Sequence, residues 1–237
     1  MQLYEQLAEW YPLFSPAENF VIEAELYRYL YALHGVPNGT LLDLGSGGGN
    51  VASHLSTLYH TTLVDRSAPM LANAQRLNPT SEAVLGDLCT LRLDRTFDAV
   101  LLHDAIMYLV TEAEVDAALT TVAAHLRPGG VALLVPDFTR ETFRPGDSYG
   151  GRDSSDGKTG LRYLQWVRDP DPRDTQVTVD LALMLRRGND VVVVADRHYH
   201  GLFERDVYRR AARQAGLEVI DGPGQAAALV VRRSLEP

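Results

Sequence analysis

The stretch Thr40–Asn50, TLLDLGSGGGN, restricts the fold more than any other part of the chain. An apolar run ends at Asp43, and four glycines then crowd into the five positions 45–49. A buried strand followed by so many residues without a Cβ can turn sharply, and the apolar Val51, Ala52, Leu55 and Leu58 recur on one face of a helix that Asn50 can cap. Strand, glycine turn and helix together bring backbone N–H groups and a helix N-terminus against whatever the turn holds. A dinucleotide and any other adenosine ligand fit that geometry equally. Read from Gly45 the pattern G-x-G-x-x-G fails at Asn50, and read from Gly47 it passes in its relaxed form with Ala52 last.

The same alternation continues down the chain. A helix opened by Ser15-Pro16 and stopped before Gly35 precedes the run. After it come a strand over 61–65, a helix from Ser67 to Leu77, and strands over 82–87 and 97–104. Thr111 and Glu114 form a capping-box pattern for a helix ended by LRPGG at 126–130, and VALLVPD (131–137) is the fifth strand. Strands and helices in this rhythm predict an α/β fold with a doubly wound, mostly parallel sheet.

After Asp137 the rhythm breaks. Residues 139–160, rich in Gly, Asp and Ser, read as a loop, and three extended stretches (161–168, 175–186, 190–200) follow with no helix between them. Val177, Val179, Leu181, Leu183 and Leu185 alternate strictly, so this part predicts a three-stranded antiparallel insertion with one apolar face. A helix over 203–215, ended by Gly216, and strands near 217–221 and 226–233 complete the chain. The expected organisation of residues 1–237 is a single domain: an N-terminal lid and helix (1–35), a core (40–137), the lid loop and insertion (139–200), and a C-terminal helix with two strands (201–237).

Composition narrows the function. With 22 basic against 31 acidic residues the formal charge is −9, a surface that repels phosphate backbones and anionic lipid, so neither nucleic acid nor membrane is an expected partner. Cys89 is the one cysteine, which excludes an intrachain disulfide and makes it a small buried residue in the simplest reading. The start, MQLYEQLAEWYP, carries Glu5 and Glu9 in place of a basic and apolar leader, and no apolar run is long enough to span a bilayer. A cytoplasmic location is the expectation.

Acidic residues at successive strand ends discriminate where the glycines do not. Asp43 gives D-x-G-x-G-x-G over 43, 45, 47 and 49; Asp65 ends the second strand, where a carboxylate can accept ribose hydroxyls; Asp87 ends the third, within reach of an adenine amino group. LLDLGSGGGN, LVD, GDL, FDAVLLHDAIMYL and LRPGGVALLV, in that order, resemble class I S-adenosylmethionine-dependent methyltransferases over residues 40–137. The resemblance implies a Rossmann-like, seven-stranded sheet completed by the two C-terminal strands, and S-adenosyl-L-methionine as cofactor. It implies that Asp43, Gly45, Ser46 and Gly47 line the methionine part, with Gly49 completing the motif. Asp65 would hold the ribose, Arg66 and Met70 flank the adenine, and Asp87 with Leu88 contact its edge.

YEQLAEWYPLF is similar to the lid of small-molecule N-methyltransferases, although Pro12 stands where that group carries an aspartate, and the insertion is similar to enzymes that methylate amino-deoxysugars. Glycine N-methyltransferase-like enzymes share the plan. No N-P-P-Y tetrapeptide or acidic metal set is present, so no metal is expected. A sulfonium methyl is already activated, which leaves in-line positioning and removal of a proton from an ammonium acceptor. His103, as base or as cofactor contact, is the candidate, oriented by Asp104, with Tyr11 and Tyr108 steering the acceptor or packing the core. Arg144, Tyr149 and Trp166 are further acceptor-pocket candidates, as are His198 and His200, which share a strand face that is either substrate-facing or solvated. The expected activity is N-methylation of a small amine. O-methylation of a carboxylate or hydroxyl, an NAD-dependent oxidoreductase and a non-catalytic binding module are the alternatives. The apolar face of 177–185 is a candidate homodimer surface.

Overall fold

The computed structural model describes residues 1–220 and 228–235. Short helical turns, among them α1 (Tyr11–Phe14), lead into α2 (Val21–Leu33). β1 (Gly39–Leu44), α3 (Asn50–Leu55), β2 (Tyr59–Asp65), α4 (Ala68–Leu77), β3 (Glu82–Leu85), β4 (Phe97–His103), α5 (Glu112–His125) and β5 (Leu126–Val135) follow. The chain then forms β6 (Gly146–Gly150), β7 (Thr159–Arg168), β8 (Gln176–Arg187) and β9 (Asp190–Gly201), and finishes with α6 (Arg205–Gln214), β10 (Leu217–Ile220) and β11 (Leu229–Arg233).

Seven strands make one sheet in the order β10-β11-β5-β4-β1-β2-β3. β3, β2, β1, β4 and β5 run parallel, and β11 lies antiparallel between β5 and β10. The apolar runs have to be continuous because both faces are covered. Leu41, Leu101 and Leu133 pack on one side with Tyr27 and Tyr31 of α2, while Leu42, Val100 and Ala132 pack on the other with Leu119 of α5 and Tyr208 of α6. The order reverses at β1/β4, so ligands are expected at the carboxyl ends of those two strands.

Local signals hold where a side chain satisfies a helix end. Ser67 Oγ accepts from Met70 N at 3.2 Å, and Thr111 and Glu114 form the reciprocal capping box of α5. Asn50 does not cap α3. Gly49, in the left-handed region at φ 75°, takes that position, and Asn50 Nδ2 instead donates to Ser15 O at 2.8 Å, tying α3 to the N-terminal segment. Ser15 does not cap α2 either, because a 3-10 turn over Ala17–Phe20 intervenes. α5 ends at His125, directly before LRPGG, as expected, but LRPGG itself opens the next strand, which was expected only from residue 131. β5 starts at Leu126, and Arg127 Nε donates to Asp98 Oδ1 at 2.6 Å across a register shift between Phe97 and Ala99.

The insertion has four strands, β6-β7-β8-β9, where three were expected. The extra strand comes from within the segment read as a loop. Gly151 (φ 99°) turns the chain at a point where a Cβ would lie 2.2 Å from Leu161 O, which lets β6 pair with β7. The alternating face of β8 is not open to a second copy of the chain. Val179, Leu181, Leu183 and Leu185 are buried against Leu3 and Trp10, so the insertion packs its apolar side onto the N-terminal segment. Residue 221 of one expected strand and residues 226–227 of the other lie outside the described residues. Among the described residues no helix is long and apolar enough to cross a membrane.

Because Leu183 is fully buried between these two segments, Leu183→Ala is expected to lower unfolding free energy by about 2–5 kcal/mol in urea denaturation. The N-terminal segment should become the first region to exchange amide hydrogens.

Candidate active site

Two adjoining cavities open at the carboxyl ends of β1 and β4. The larger, of ≈ 200 Å³, runs along the ends of β2 and β3, and the smaller, of ≈ 50 Å³, lies over Asp43 and Ser46. Tyr11, Gly45, Gly47 and Asp104 line both, which places the junction between them at these four residues. Gly45 (φ 77°) is what lets the turn reach this place, since a Cβ there would lie 2.1 Å from Ala105 Cβ. Gly49 serves packing instead. Its missing Cβ leaves room for Asn78 and Ala74 of the neighbouring helix, and it lines neither cavity.

The large cavity gathers Asp65, Arg66, Met70, Asp87 and Leu88. Asp65 Oδ2 accepts from Gly47 N at 2.9 Å and Oδ1 from Ser67 N at 2.8 Å, so the carboxylate braces the glycine turn and the start of α4 with oxygen lone pairs to spare. Burial raises its carboxyl above the ordinary value, opposed by these backbone donors. Asp87 Oδ1 accepts from Cys89 N at 2.8 Å.

Among the described residues, two polar groups of the small cavity have no protein partner. Ser46 Oγ is buried with no hydrogen bond, and among the described residues no hydrogen bond reaches the Asp43 carboxylate, which is 4 % exposed. Burial pushes the Asp43 carboxyl up to about 7, even against the pull of His103.

Asp104 stands at the junction with an unusual backbone, φ 49° and ψ −47° in a residue other than glycine. Its carboxylate receives His103 Nε2 at 2.9 Å, with Glu23 3.6 Å from the same nitrogen. The side chain is 48 % accessible, yet this access is to the cavity it lines and protein surrounds it. Burial alone would raise the Asp104 carboxyl, but the hydrogen bond and charge of His103 hold it below the usual range. Asp137 goes the other way. Burial, the Asp104 charge and a hydrogen bond to Asp104 hold its carboxyl well above that range. For His103, burial lowers the imidazole, and the Asp104 hydrogen bond with the charges of Asp104, Glu23 and Asp43 outweighs it, so the net shift is upward.

His103 lines the small cavity and Tyr108 the large one, while Tyr11 reaches both. The structure does not bring the other acceptor candidates here. Tyr149 is 82 % exposed, Trp166 projects from the outer face of β7, and Arg144 Nη1 donates to the neighbouring Phe143 O. His198 and His200 lie on the inner face of β9, behind Tyr108: His198 Nδ1 is 2.8 Å from Tyr108 Oη, and the His200 ring meets Tyr108 edge-on with centroids 4.7 Å apart. Burial pushes the His200 imidazole down to about 4, and neither of its ring nitrogens has a partner among the described residues. Sequence reasoning missed Tyr4 and Cys89 as cavity walls and Asp137 as the partner of Asp104. Tyr4 precedes Tyr11 by two helical turns, a spacing that could have exposed it.

These residues fit S-adenosylmethionine. Among the described residues a carboxylate and a hydroxyl without partners suit an amino acid moiety, a glycine turn leaves backbone uncovered, and Asp65 and Asp87 line the larger cavity with carboxylates able to accept from hydroxyl and amino groups of a nucleoside. The comparisons agree. A methyltransferase domain family matches residues 41–130. The chain is 32 % identical over 223 residues to dTDP-3-amino-3,6-dideoxy-alpha-D-glucopyranose N,N-dimethyltransferase from Streptomyces fradiae, covering 92 % of this chain and 86 % of that protein. It is 30 % identical over 216 residues to dTDP-3-amino-3,4,6-trideoxy-alpha-D-glucopyranose N,N-dimethyltransferase from Streptomyces venezuelae, covering 90 % of each. The crystal structure of Streptomyces venezuelae DesVI superposes with a TM-score of 0.82 at 26 % identity, over 96 % of this chain and 98 % of that one. The chain belongs to the class I S-adenosylmethionine-dependent methyltransferases. It is an enzyme with S-adenosylmethionine as cofactor, and the oxidoreductase and non-catalytic alternatives fall away.

A carboxyl raised by burial makes the ligand-free fold prefer its protonated form. That contribution is present at low pH and is lost as pH rises from the ordinary 3.8 through about 7. Asp43→Asn removes the buried charge. Its thermal midpoint without cofactor should exceed the parent's at pH 8 by several degrees, the gap narrowing below pH 7 and closing as pH falls to 3.8, while calorimetric titration shows S-adenosylhomocysteine affinity reduced about tenfold or more.

Proposed function

We propose that the enzyme methylates the nitrogen of a small amine, the acceptor being an amino-deoxysugar. The observation that carries this reading is the Asp104 carboxylate, held below the usual range by His103, at the junction of the two cavities. Such a site attracts an ammonium and repels a free carboxylate, which weighs against O-methylation of an acid. The amino-deoxysugar acceptors in the names of two relatives that span most of the chain support the same class.

The cofactor supplies a methyl group already activated on sulfonium. The chain's part is to hold and to shield. Asp43, Ser46 and the glycine turn would hold the amino acid end, and Asp65 and Asp87 the nucleoside. Tyr4, Tyr11 and Tyr108 wall the large cavity beside the junction, displacing water from the acceptor's approach. Asp104 orients the acceptor nitrogen. His103 holds Asp104 in place, because its Nε2 faces that carboxylate at 2.9 Å and its raised affinity for a proton favours the ion pair over the free base.

Incubation with S-adenosylmethionine and a panel of nucleotide-linked amino-deoxysugars, carboxylates and hydroxyl compounds should yield N-methylated sugars by mass spectrometry. Turnover of oxygen acceptors alone would overturn the proposal. Asp104→Asn should lower kcat/KM for the amine about 10-fold to 100-fold, the loss of a charge-assisted hydrogen bond, with S-adenosylhomocysteine affinity little changed.

A homodimer forms, in our reading, through the outer face of the insertion. That face carries the exposed Leu164, Trp166, Met184, Val193 and Tyr199 around the Arg168–Asp180–Arg197 ion pairs, and a self-complementary twofold pairing would cover it. Sedimentation should give twice the chain mass, and Trp166→Glu combined with Val193→Glu should give a folded monomer.

A further inference from the structure

A buried row of hydrogen bonds leads from the large cavity into the insertion. Tyr108 Oη lies 2.9 Å from Tyr4 Oη and 2.8 Å from His198 Nδ1, and His198 Nε2 lies 2.9 Å from Asp196 Oδ2. The same Asp196 oxygen accepts Leu3 N at 2.9 Å. His198 is 2 % and Asp196 7 % exposed, while Tyr4 and Tyr108 line the cavity next to Asp104 and Tyr11. Packing alone calls for none of this, since apolar residues would fill the inner face of β9 as they fill that of β8.

The donor order of such a row is a count of its protons. Each tyrosine hydroxyl has one hydrogen and can turn it either way, and a neutral imidazole has one N–H where an imidazolium has two. With Tyr108 donating to Tyr4, the Tyr108 oxygen accepts from His198 Nδ1–H, and a second proton is held between Nε2 and Asp196. With His198 neutral and Nε2–H donating to Asp196, Tyr108 donates to Nδ1 and Tyr4 donates to Tyr108. Tyr4 then turns a lone pair into the cavity. The same heavy atoms support both orders, which differ by one proton.

We propose that this row carries away the proton that the acceptor ammonium must lose before its nitrogen can take a methyl group, with His198 as the receiving end. The inference rests on the amine reading of the site. One N–H bond of the ammonium breaks as its proton passes to Tyr4 Oη. Tyr4 passes its own hydrogen to Tyr108 Oη, and Tyr108 passes its own to His198 Nδ1. The acceptor is left as a neutral amine with a free lone pair, both phenols are restored, and His198 becomes an imidazolium paired with Asp196. No electrons change hands. The groups facing His198 suit the role. Burial lowers its imidazole below the ordinary value, as does the N-terminal amine, against the pull of Asp196, so in the resting enzyme it is neutral and open to a proton; Tyr4, Tyr108 and His200 complete its surroundings. His103, already paired with Asp104, is not open in that way. Tyr4 touches the acceptor. Tyr108, His198 and Asp196 act through it.

The test is the pH dependence of His198→Gln and Tyr108→Phe with an amino-sugar acceptor. In each, kcat near pH 7 should fall about 100-fold, the scale of lost proton transfer, and recover to within about threefold at a pH above the acceptor's own pKa, where the amine arrives without its extra proton. Calorimetric affinity for S-adenosylhomocysteine should match the parent's. Tyr108→Phe removes a single oxygen and keeps the ring against His200, so it decides the matter should His198→Gln not fold. A parent enzyme that methylates amines, with variants unaffected or reduced equally at all pH values, would overturn the relay alone. A parent that methylates oxygen acceptors only would overturn the amine reading and the relay with it.

Discussion

Everything at the site depends on how closely the turn after β1 approaches the chain after β4. Gly45 meets Ala105 so tightly that a single added carbon would lie 2.1 Å from it, and this contact brings Asp43, the glycine turn and Asp104 to one place. The sheet order sets the two strands side by side, and the absence of a side chain at Gly45 lets their ends close up. Asp104 follows with its strained backbone, and its carboxylate falls at the junction of the cavities as a result.

Electrostatics then divides the work among several acids. Burial treats them alike and pushes each carboxyl upward, and the neighbours make the difference. His103, bonded to Asp104, holds that carboxyl down, the Asp104 charge holds the Asp137 carboxyl up, and Asp43 is left with a raised carboxyl that a cationic ligand would relieve. A fold that accepts such a penalty without its ligand is expected to bind that ligand strongly, since the charge it brings removes the penalty. The insertion contributes from the opposite side. Its inner face packs on the N-terminal segment, and that segment supplies Tyr4 and Tyr11 to the cavities.

Much of the core was legible in the residues. Asp65 ends β2 and Asp43 stands one residue before the end of β1, where the alternation put them, and the caps at Ser67 and Thr111 behave as their types require, because each rests on contacts within a few residues. Asn50 misleads for the opposite reason, since its amide finds the Ser15 carbonyl 35 residues away. β6 was hidden because Gly, Asp and Ser carry no strand pattern, and only pairing with β7 orders them. Tyr149 and Trp166 were attractive as aromatics in a variable segment, but the alternation that turns β8 inward sends them outward.

The sequence by itself determined the sheet, the glycine turn and the acids at successive strand ends, and with them the methyl donor, because these follow from periodicity and from the conformations a residue without a Cβ allows. Only the tertiary structure decided which side chains share a cavity and which protons they hold. The pairing of Asp104 with His103 and Asp137, and the row from Tyr4 to Asp196 with its Leu3 donor, join residues up to 193 positions apart. Local pattern carries no information about such distances. Burial, which sets the charge of each group, exists only once the layers have closed.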